Sequence, residues 1–504
     1  MIVQLFEGIG SGTSIMIFVT IMLIILSSWS IQRPKNMPPG PIAWPFIGNI
    51  PSFFGKSSLK VLTDFSKVYG DVYTLKLGNR YVVVVNSIES IRETLVKQPV
   101  EFAGRPRLYS AELMTDNYKD IVFSDYSPIW KLHRKLASAA IRNYASGSHL
   151  EKLVDGIKPK LDAALSEKGN SAFDPKLIIG YGVYNILASM CFGIEYDFDD
   201  PDFKKLMNML ENITDVFGEG LMADYIPGLR HIPTPGLRNV QNLFSEYLAM
   251  IRKEFKRHQD NFNPDEIKDL TDFVLAAQQE AVEEGNDNIA DLSDDYLVQT
   301  LSDIFGAGSD TTTTTLLWSI ATLVDHPDVQ AKVQAEIDEV IGRTRSTNLN
   351  DRGSLPYTQA TIYEIMRYGI VAPVAVPHRT ISECTFGSYR IPQDTWVLIN
   401  LYAVHNDERH WEDPHEFRPE RFLSDEKCQV ERPDSFLPFS AGRRVCLGES
   451  LAKSEIFLIF TWLFQTFMFV KPTDMENVKT AEPQADSGLI HIPKPYKVLV
   501  EKRF

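Results

Sequence analysis

The sequence predicts a mainly α-helical body with small β-sheets, preceded by a single N-terminal transmembrane helix. Apolar residues recur at helical spacing along most of the chain, which favours helices as the main elements. Short apolar segments beside turn residues predict a few strands. An uncharged apolar stretch near the N-terminus predicts the membrane helix. With 504 residues and 44% hydrophobic content, the chain can bury a large core, so general disorder is excluded.

The N-terminal apolar stretch has no charged residue between Glu7 and Arg33, and residues 14–26 are almost wholly apolar. A helix of roughly 20 apolar residues spans the hydrocarbon layer. A cleaved signal peptide is the alternative, but it would have positive charge before its apolar segment, whereas Arg33 and Lys35 follow this one. The predicted organisation is a membrane anchor over residues 1–36, a proline-rich hinge over 37–41 and one large domain over 42–504.

The basic residues that follow the anchor predict the side of the membrane on which the domain lies. Because positive charge favours the cytoplasmic side, we expect the domain to be cytoplasmic. The segment Asn212-Ile213-Thr214 matches the acceptor pattern for N-glycosylation. With this orientation we expect Asn212 to remain unmodified.

Several segments of the large domain predict individual elements. A β-hairpin is expected, with strands 72–77 and 81–85 joined near Gly78. Residues 389–401 predict a further strand. Helical periodicity predicts helices over residues 150–165, 240–258, 267–284, 296–324, 329–341 and 450–467.

Charge and cysteine content exclude two classes of protein. The formal net charge of −15 argues against a nucleic-acid-binding protein, because such proteins have basic faces and usually a high isoelectric point. A chain of this length with four cysteines is not a disulfide scaffold. The cysteines form no C-x-x-C pair, so the sequence does not predict a structural zinc site; they are Cys191, Cys384, Cys428 and Cys446.

Cys446 lies in the segment Phe439-Ser-Ala-Gly442-Arg-Arg444-Val-Cys446-Leu-Gly448, directly before a helical pattern. The glycines predict a tight loop at a helix N-terminus, where backbone N–H groups and the helix dipole stabilise a thiolate. A thiolate is both a nucleophile and a soft metal ligand. The residues alone therefore leave open a catalytic nucleophile, a metal ligand and a buried free cysteine.

Taken whole, this segment resembles the haem-binding loop F-x-x-G-x-R-x-C-x-G of the cytochrome P-450 family of haem-thiolate monooxygenases. The resemblance implies the cytochrome P-450 fold and haem b as the cofactor, with Cys446 as the axial iron ligand. It implies that Arg444 contacts a haem propionate, and that Phe439, Gly442 and Gly448 lie against the haem.

A second motif concerns the support of that loop. Glu364 and Arg367 are three residues apart, so they share one helix face and can form an ion pair. By itself such a pair is usually a surface salt bridge of little energetic value. The segment Phe417-Arg-Pro-Glu-Arg421 resembles the family's P-E-R-F segment, which implies a buried structural triad of Glu364, Arg367 and Arg421 that fixes the cysteine loop.

A third motif lies in the long helix predicted after Ser293. It contains Ala307-Gly308-Ser-Asp310-Thr311, where glycine and hydroxyl groups favour a local distortion of the helix. Taken alone, this segment is a core helix rich in small residues. It resembles the family's A-G-x-[DE]-T motif, which implies that Asp310 and Thr311 are the catalytic acid–alcohol pair that delivers protons.

Four scattered residues acquire a role only through the resemblance. Each alone is usually a packing residue or part of a solvated face. Two carboxylates buried beside an iron centre need several donors. The implied partners of the haem propionates are Arg105, Trp130, Arg134 and His378.

The segment 127–143 contains four basic residues and no acidic one, and Arg443 adds to this charge. Taken alone, it is a solvated helix face. The resemblance places this helix on the cysteine side of the haem, where an acidic NADPH–haemoprotein reductase docks, with cytochrome b5 as a further partner. It also implies the microsomal class, with a single-pass anchor in the endoplasmic reticulum membrane.

Within the family, the chain most resembles the animal microsomal enzymes that hydroxylate steroids at the 17-alpha position. Segments 303–308, 371–373, 130–137 and 222–227 carry this resemblance. It implies hydroxylation of a lipophilic, steroid-like substrate with O2 and electrons from NADPH. The alternatives are a broad xenobiotic or fatty-acid monooxygenase and, from another class, a haem isomerase or a non-catalytic haem or sterol binder. The expected pocket wall is apolar and consists of Ala307, Val371, Ala372, Val374, Val376 and Leu489.

Overall fold

The computed structural model describes part of the predicted anchor and nearly all of the large domain. The described residues are Met16, Thr20, 33–144, 147–284, 289–424, 429–484 and 489–504. Most of the predicted anchor therefore lies outside the described residues, as does Cys428. Within the described part of the chain, no helix has both the length and the apolar character needed to span a membrane.

Most of the described chain is helical, as predicted. The α-helices are α1 Ser58–Tyr69, α2 Ile88–Ile91, α3 Tyr109–Met114, α4 Pro128–Tyr144, α5 Ser148–Lys168, α6 Lys176–Phe192, α7 Pro201–Glu219, α8 Met222–Tyr225, α9 Pro235–Asn261, α10 Leu270–Glu283, α11 Asp294–Asp325, α12 Pro327–Val340, α13 Pro356–Gly369, α14 Leu401–His405 and α15 Glu449–Thr466. The six predicted helical segments correspond to α5, α9, α10, α11, α12 and α15.

Local sequence explains where several helices begin. Proline occupies the first position of α7, α9, α12 and α13, where its missing N–H is not needed by the helix. The side chains of Thr234 and Asp269 accept hydrogen bonds from the first turns of α9 and α10. Helix α11 begins directly after Ser293, as predicted, but the Ser293 side chain makes no capping bond.

The strands form three small sheets. They are β1 Val72–Leu77, β2 Arg80–Val85, β3 His378–Arg379, β4 Cys384–Phe386, β5 Tyr389–Ile391, β6 Trp396–Ile399, β7 Phe467–Val470 and β8 Leu499–Lys502. The predicted hairpin is β1–β2, and it is extended by β6, which pairs with β2 in parallel, and by β3. Hairpins β4–β5 and β7–β8 form the other two sheets.

The prediction of one strand over residues 389–401 is wrong. The segment contains β5 and β6, which belong to different sheets. Between them Asp394 has a φ of 64°, a left-handed conformation that turns the chain. Leu401 already belongs to helix α14. The periodicity of apolar residues in a short segment did not reveal this break.

Helices α6 and α11 occupy the centre of the molecule. Helix α6 is buried on nearly every side, and α11 is buried along most of its length. Helix α11 packs against α6, α13 and α15. A helix buried on all sides has no polar stripe, so its apolar pattern carries little periodicity. This arrangement places the middle of α11 beside the loop that precedes α15.

A buried ion pair joins the end of α9 to the start of α10. His258 Nε2 lies 2.8 Å from Asp269 Oδ2, and His258 Nδ1 lies 2.8 Å from the Glu254 carbonyl oxygen. Both partners accept protons, so the doubly protonated imidazolium satisfies this geometry best. Burial lowers the pKa of His258, but the hydrogen bonds to Asp269 and Glu254 outweigh it and leave the pKa raised.

Replacing His258 by glutamine is expected to reduce the free energy of unfolding by about 3 kcal/mol at about pH 6, and by less at about pH 9. A raised folded pKa stabilises the fold below the unfolded pKa, and this contribution is lost as the pH rises through the folded value. Urea unfolding at both pH values measures the difference. The exposed His415→Gln variant is the control, and an equal loss at both pH values would contradict the expectation.

Candidate active site

A cavity of about 320 Å³ lies beside the middle of α11 and the start of α15. This volume is in the range of small-molecule sites. Its apolar lining residues include Ile121, Val122, Ile141, Ile304, Ala307, Met366, Val371, Ala372, Ala375, Val376, Leu401 and Ile456. Its polar lining residues include Arg105, Arg134, Asp303, Thr311, Thr312, Thr315, His378, Arg444, Cys446 and Glu455.

Cys446 reaches the cavity on the loop predicted from the sequence. Its backbone N–H donates to the Phe439 carbonyl at 3.0 Å, which closes the loop. Gly442 has a φ of 77°, and a Cβ at this position would lie 2.2 Å from the Leu95 carbonyl oxygen. Only glycine fits there, because both the conformation and the close approach exclude a side chain. Helix α15 begins directly after Gly448.

The environment of the Cys446 thiol contains opposing influences. Burial raises its pKa, and the Gly448 N–H, Arg134 and Lys453 lower it to a smaller extent. Cys446 is exposed and lines the cavity. Metal ligation requires the thiolate, so binding of a metal ion here would release the thiol proton.

Two guanidinium groups and one imidazole organise the wall next to the cysteine loop. Arg444 donates from Nε to the Ala103 carbonyl at 2.9 Å and from Nη2 to the Ser124 carbonyl at 2.8 Å. Arg105 donates from Nη1 to the Val376 carbonyl at 2.7 Å. His378 Nδ1 donates to a backbone carbonyl at 2.7 Å, which leaves Nε2 available. These bonds fix the loop around residues 102–124.

Arg134 and Trp130 lie one helical turn apart on α4. Arg134 donates from Nη2 to the Val445 carbonyl, directly beside Cys446. The Trp130 indole N–H donates to the Ile121 carbonyl at 2.9 Å, and the Arg444 guanidinium lies 4.1 Å from the Trp130 ring centroid. Trp130 is not among the residues that line the cavity. Its ring packs against the Arg444 guanidinium instead.

The charge of this wall fits an anionic cofactor. Burial lowers the pKa of Arg105, and the neighbouring Arg444 lowers it further. Burial also lowers the pKa of Arg444 to about 10. Crowded cations of this kind are stabilised by an anion. A haem group, with two carboxylates for the guanidiniums and an iron for the thiolate, suits this donor set.

The predicted structural triad forms in the core. Arg367 Nε and Nη2 donate to the two oxygens of Glu364, both at 2.7 Å. Arg421 Nε donates to Glu364 Oε1 at 3.0 Å. The Glu364 and Arg367 side chains are fully buried, and 6% of the Arg421 side chain is exposed. Arg367 also donates to the carbonyls of His405 and Pro414, so the triad ties α13 to the chain segment that precedes the cysteine loop.

Asp310 and Thr311 are adjacent on α11 but face different surroundings. The Thr311 hydroxyl lines the cavity and donates to the Ala307 carbonyl at 2.8 Å. Asp310 is not among the lining residues. Its carboxylate accepts hydrogen bonds from the hydroxyls of Tyr184 and Thr214. The helix remains continuous here, so the expected distortion does not break it.

Burial raises the pKa of Asp310, and the bonds from Tyr184 and Thr214 lower it to a smaller extent. The acid is therefore held between α6 and α7 rather than at the cavity surface. The sequence motif did not reveal this orientation, because it gives the position on the helix but not the partners.

The predicted pocket wall is only partly reproduced. Ala307, Val371, Ala372 and Val376 line the cavity. Val374 instead packs against the cluster that contains Tyr73 and Trp396 on the sheet side. Leu489 is half-buried and is not among the lining residues. Val374 forms an isolated β-bridge with Asn400, which holds it on the sheet side.

Two carboxyl groups of the cavity wall were not predicted from the sequence. Asp303 accepts a hydrogen bond from the Ile121 N–H at 2.7 Å, and burial and the neighbouring Asp120 raise its pKa. Glu455 is 1% exposed and lies on α15. The sequence does contain a signal for Glu455, since this lone acidic residue directly precedes the apolar segment 456–464.

Comparison with known proteins identifies the family. The family model described as Cytochrome P450 matches residues 38–500. The chain is 36% identical to a steroid 17-alpha-hydroxylase/17,20 lyase of Ictalurus punctatus, over 94% of this chain and 91% of that protein. It is 36% identical to the protein of the same name from Rana dybowskii, over 95% and 92%. It is 33% identical to cytochrome P450 2U1 of Bos taurus, over 96% and 93%. The chain therefore belongs to the cytochrome P450 family of haem-thiolate monooxygenases.

Proposed function

We propose that this monooxygenase hydroxylates a steroid or a similar polycyclic lipid. The observation that carries the proposal is the similarity over more than nine-tenths of both chains to proteins named steroid 17-alpha-hydroxylase/17,20 lyase. The largely apolar cavity wall supports it, because burying a ring system against such a surface removes apolar area from water.

The residues of the cavity are assigned roles in the same proposal. Haem bound here supplies the redox chemistry that activates O2. Cys446 would hold the iron, and Arg105, Arg134, His378 and Arg444 would hold the two propionates. Thr311 would keep a hydroxyl at the reaction centre. The apolar wall would orient the substrate and exclude water from it.

Binding of steroids to the haem-loaded protein tests the substrate assignment. A panel of progestins, long-chain fatty acids and planar aromatic compounds is titrated while the Soret absorption is followed. We expect the steroids to produce a saturable shift at the lowest concentrations, and NADPH with the reductase to yield a hydroxylated steroid. Tighter binding and faster turnover of a fatty acid or an aromatic compound would overturn the assignment.

We also propose that the face of α4 beside Cys446 binds the NADPH–haemoprotein reductase. Lys131, Lys135 and Arg443 are exposed there. In the described part of the chain, no ion pair joins Lys135 or Arg443 to a carboxylate. Opposite charge on an acidic partner would accelerate the encounter of the two proteins. Cytochrome b5 would use the same face.

Replacing Lys135 by glutamate is expected to slow reductase-driven turnover by about tenfold at low salt, because electrostatic steering is lost. The haem content should remain unchanged, since Lys135 is exposed and does not line the cavity. Turnover is measured at low and high salt, where screening should reduce the difference. Lys256→Glu, at an exposed position of α9, is the control. Equal turnover of Lys135→Glu and the unmodified enzyme at low salt would contradict the proposed face.

The proposed location is the endoplasmic reticulum membrane, with residues 1–36 as the single-pass anchor and the large domain cytoplasmic. Asn212 is exposed on α7, so its side chain would be accessible to the glycosylation machinery if the domain were on the luminal side. We expect expression in animal cells to give a protein whose mobility does not change on deglycosylation. A glycan on Asn212, detected by mass spectrometry, would contradict this orientation.

A further inference from the structure

Glu449 and Lys453 form an ion pair at the start of the helix that follows the cysteine loop. They lie four residues apart in the first and second turns of α15, and Lys453 Nζ lies 2.5 Å from Glu449 Oε1. This spacing places both side chains on one helix face. The Glu449 side chain is 38% exposed and the Lys453 side chain is 14% exposed, so water shields the ammonium less than the carboxylate.

The helix by itself gives no reason for a lysine at this position. The positive end of the helix dipole lies at the N-terminus of α15, where an acidic residue such as Glu449 is favoured and a cation is not. An ion pair between side chains one turn apart contributes little to stability. The surroundings of Lys453 outside the helix therefore have to explain it.

Lys453 is held against the cysteine loop. Its ammonium lies 5.2 Å from the centroid of the Phe439 ring and 6.0 Å from that of the Tyr363 ring. The Phe439 carbonyl accepts a hydrogen bond from the Cys446 N–H at 3.0 Å. Contact with the aromatic rings and with Glu449 therefore fixes the positive charge beside the loop that carries the sulfur.

The two charges act on the Cys446 sulfur in opposite directions. Burial has the largest effect and raises the pKa of the thiol, and the Gly448 N–H lowers it. The carboxylate of Glu449 raises this pKa further, whereas the ammonium of Lys453 lowers it. Neither Glu449 nor Lys453 lines the cavity. Their influence on the sulfur is therefore electrostatic and does not require contact with a group bound in the cavity.

Arg134 is a further cation that lowers the pKa of the Cys446 thiol. Under the proposed function a haem propionate is the counter-ion of Arg134 and offsets its charge. Among the described residues, the carboxylate paired with Lys453 is that of Glu449. Removing one member of this pair therefore changes the net charge beside the sulfur by one unit, with a sign that depends on the member removed.

We propose that Glu449 and Lys453 set the reduction potential of the haem iron through its thiolate ligand. The proposal rests on the proposed function, in which Cys446 is that ligand. Reduction adds one electron, supplied by NADPH through the reductase, and a nearby cation stabilises the more negative product. Lys453 therefore raises the potential and Glu449 lowers it. Neither side chain touches the reacting atoms, so both are positioning residues.

The first measurement is the midpoint potential of the haem-loaded protein, obtained by spectroelectrochemical titration. We expect Lys453→Met to make the one-electron reduction about threefold less favourable. This change lowers the potential by about 30 mV, since a tenfold change corresponds to 59 mV. Glu449→Gln should raise the potential by a similar amount. The double variant that combines both changes should have a potential close to that of the unmodified protein.

A second ion pair of the same spacing provides the matched control. Lys256 and Asp260 lie four residues apart on α9, at 2.8 Å, and both are exposed. Lys256→Met and Asp260→Asn should leave the potential unchanged. Lys453→Arg keeps the positive charge and should retain the unmodified potential. A merely structural role of the α15 pair would shift Lys453→Met and Glu449→Gln in the same direction, because each change breaks the same ion pair.

The second measurement is the infrared stretching frequency of carbon monoxide bound to the reduced, haem-loaded protein. A more strongly donating thiolate passes more electron density to the iron and to carbon monoxide, which lowers this frequency. The frequency should fall in Lys453→Met and rise in Glu449→Gln. Each variant should keep the red-shifted carbon monoxide band of a thiolate-ligated haem, because Cys446 itself is unchanged.

The proposal is overturned if the two single variants shift the potential in the same direction, or if neither shifts it beyond the control variants. Should Lys453→Met fail to take up haem, Glu449→Gln is compared with Glu449→Asp. A higher potential in Glu449→Gln alone supports the proposal, and equal potentials overturn it. Absence of the red-shifted band in the unmodified protein would overturn the assignment of Cys446 as well. No substrate is needed, so failure of the steroid assignment leaves this test valid.

Discussion

A Cys446→Ser enzyme is expected to lose monooxygenase activity to background and to lose the red-shifted carbon monoxide band of a thiolate-ligated haem. Serine supplies a hydroxyl whose pKa is far above that of a thiol, so it is a poor anionic ligand, whereas the Gly448 N–H and Arg134 beside Cys446 favour the thiolate that binding to iron requires. The fold should persist, because sulfur and oxygen differ little in size and the loop is held by backbone bonds and by Gly442. A carbon monoxide difference spectrum measures the outcome.

Two other described cysteines supply controls. Cys191 is fully buried in the main core, and Cys384 is buried in the β4–β5 hairpin, with its sulfur 3.9 Å from the Ile391 carbonyl oxygen. Neither lines the cavity. A Cys384→Ser enzyme is expected to retain the red-shifted band. Retention of the band in Cys446→Ser, together with its loss in Cys384→Ser, would refute the assignment of the axial ligand to Cys446.

Replacing Glu364 by glutamine is expected to reduce the free energy of unfolding by about 3–5 kcal/mol and to prevent haem uptake. The change removes the negative charge that compensates two guanidiniums, Arg367 and Arg421, of which the first is fully buried. Arg367 also donates to carbonyls in the segment before the cysteine loop, so its displacement should disorder that loop. Unfolding in guanidinium chloride measures the loss of stability. The ratio of Soret absorption to protein absorption measures haem uptake.

A surface pair provides the matched control for this substitution. Glu412 pairs with Arg418 at 2.7 Å, but 78% of its side chain is exposed. Glu412→Gln should change the free energy of unfolding by about 0–1 kcal/mol and leave haem content intact, because exposed pairs are screened by water and salt. Similar losses in the two variants would show that the buried triad has no special structural value.

The sequence predicted the parts of the fold that depend on local pattern. The β1–β2 hairpin and helices α5, α9, α10, α11, α12 and α15 follow from apolar periodicity and turn residues. The loop of Cys446 and the pairing of Glu364 with Arg367 were predictable for a similar reason, since each motif is contiguous or spans one helical turn. In such motifs the spacing along the chain determines which side chains lie close together.

Features that depend on distant contacts were not predictable from a single sequence. Asp310 has partners on α6 and α7, and nothing in its motif indicates Tyr184 or Thr214. Val374 packs on the sheet side, where it pairs with Asn400, and nothing in the sequence indicates that pairing. Glu455 enters the cavity wall only because α15 packs against α11. In each case tertiary packing determines the environment of the side chain.

The parallel pairing of β2 with β6 has a consequence for biosynthesis. Val82 lies opposite Trp396 and Val85 opposite Ile399, so the two strands are separated by more than 300 residues of chain. Contacts of such high sequence separation form slowly, because a long loop must close before they contribute stability. During synthesis, β2 remains an unpaired sheet edge until most of the chain has left the ribosome. We expect nascent chains truncated before β6 to bind chaperones and to aggregate through the valine-rich strand β2.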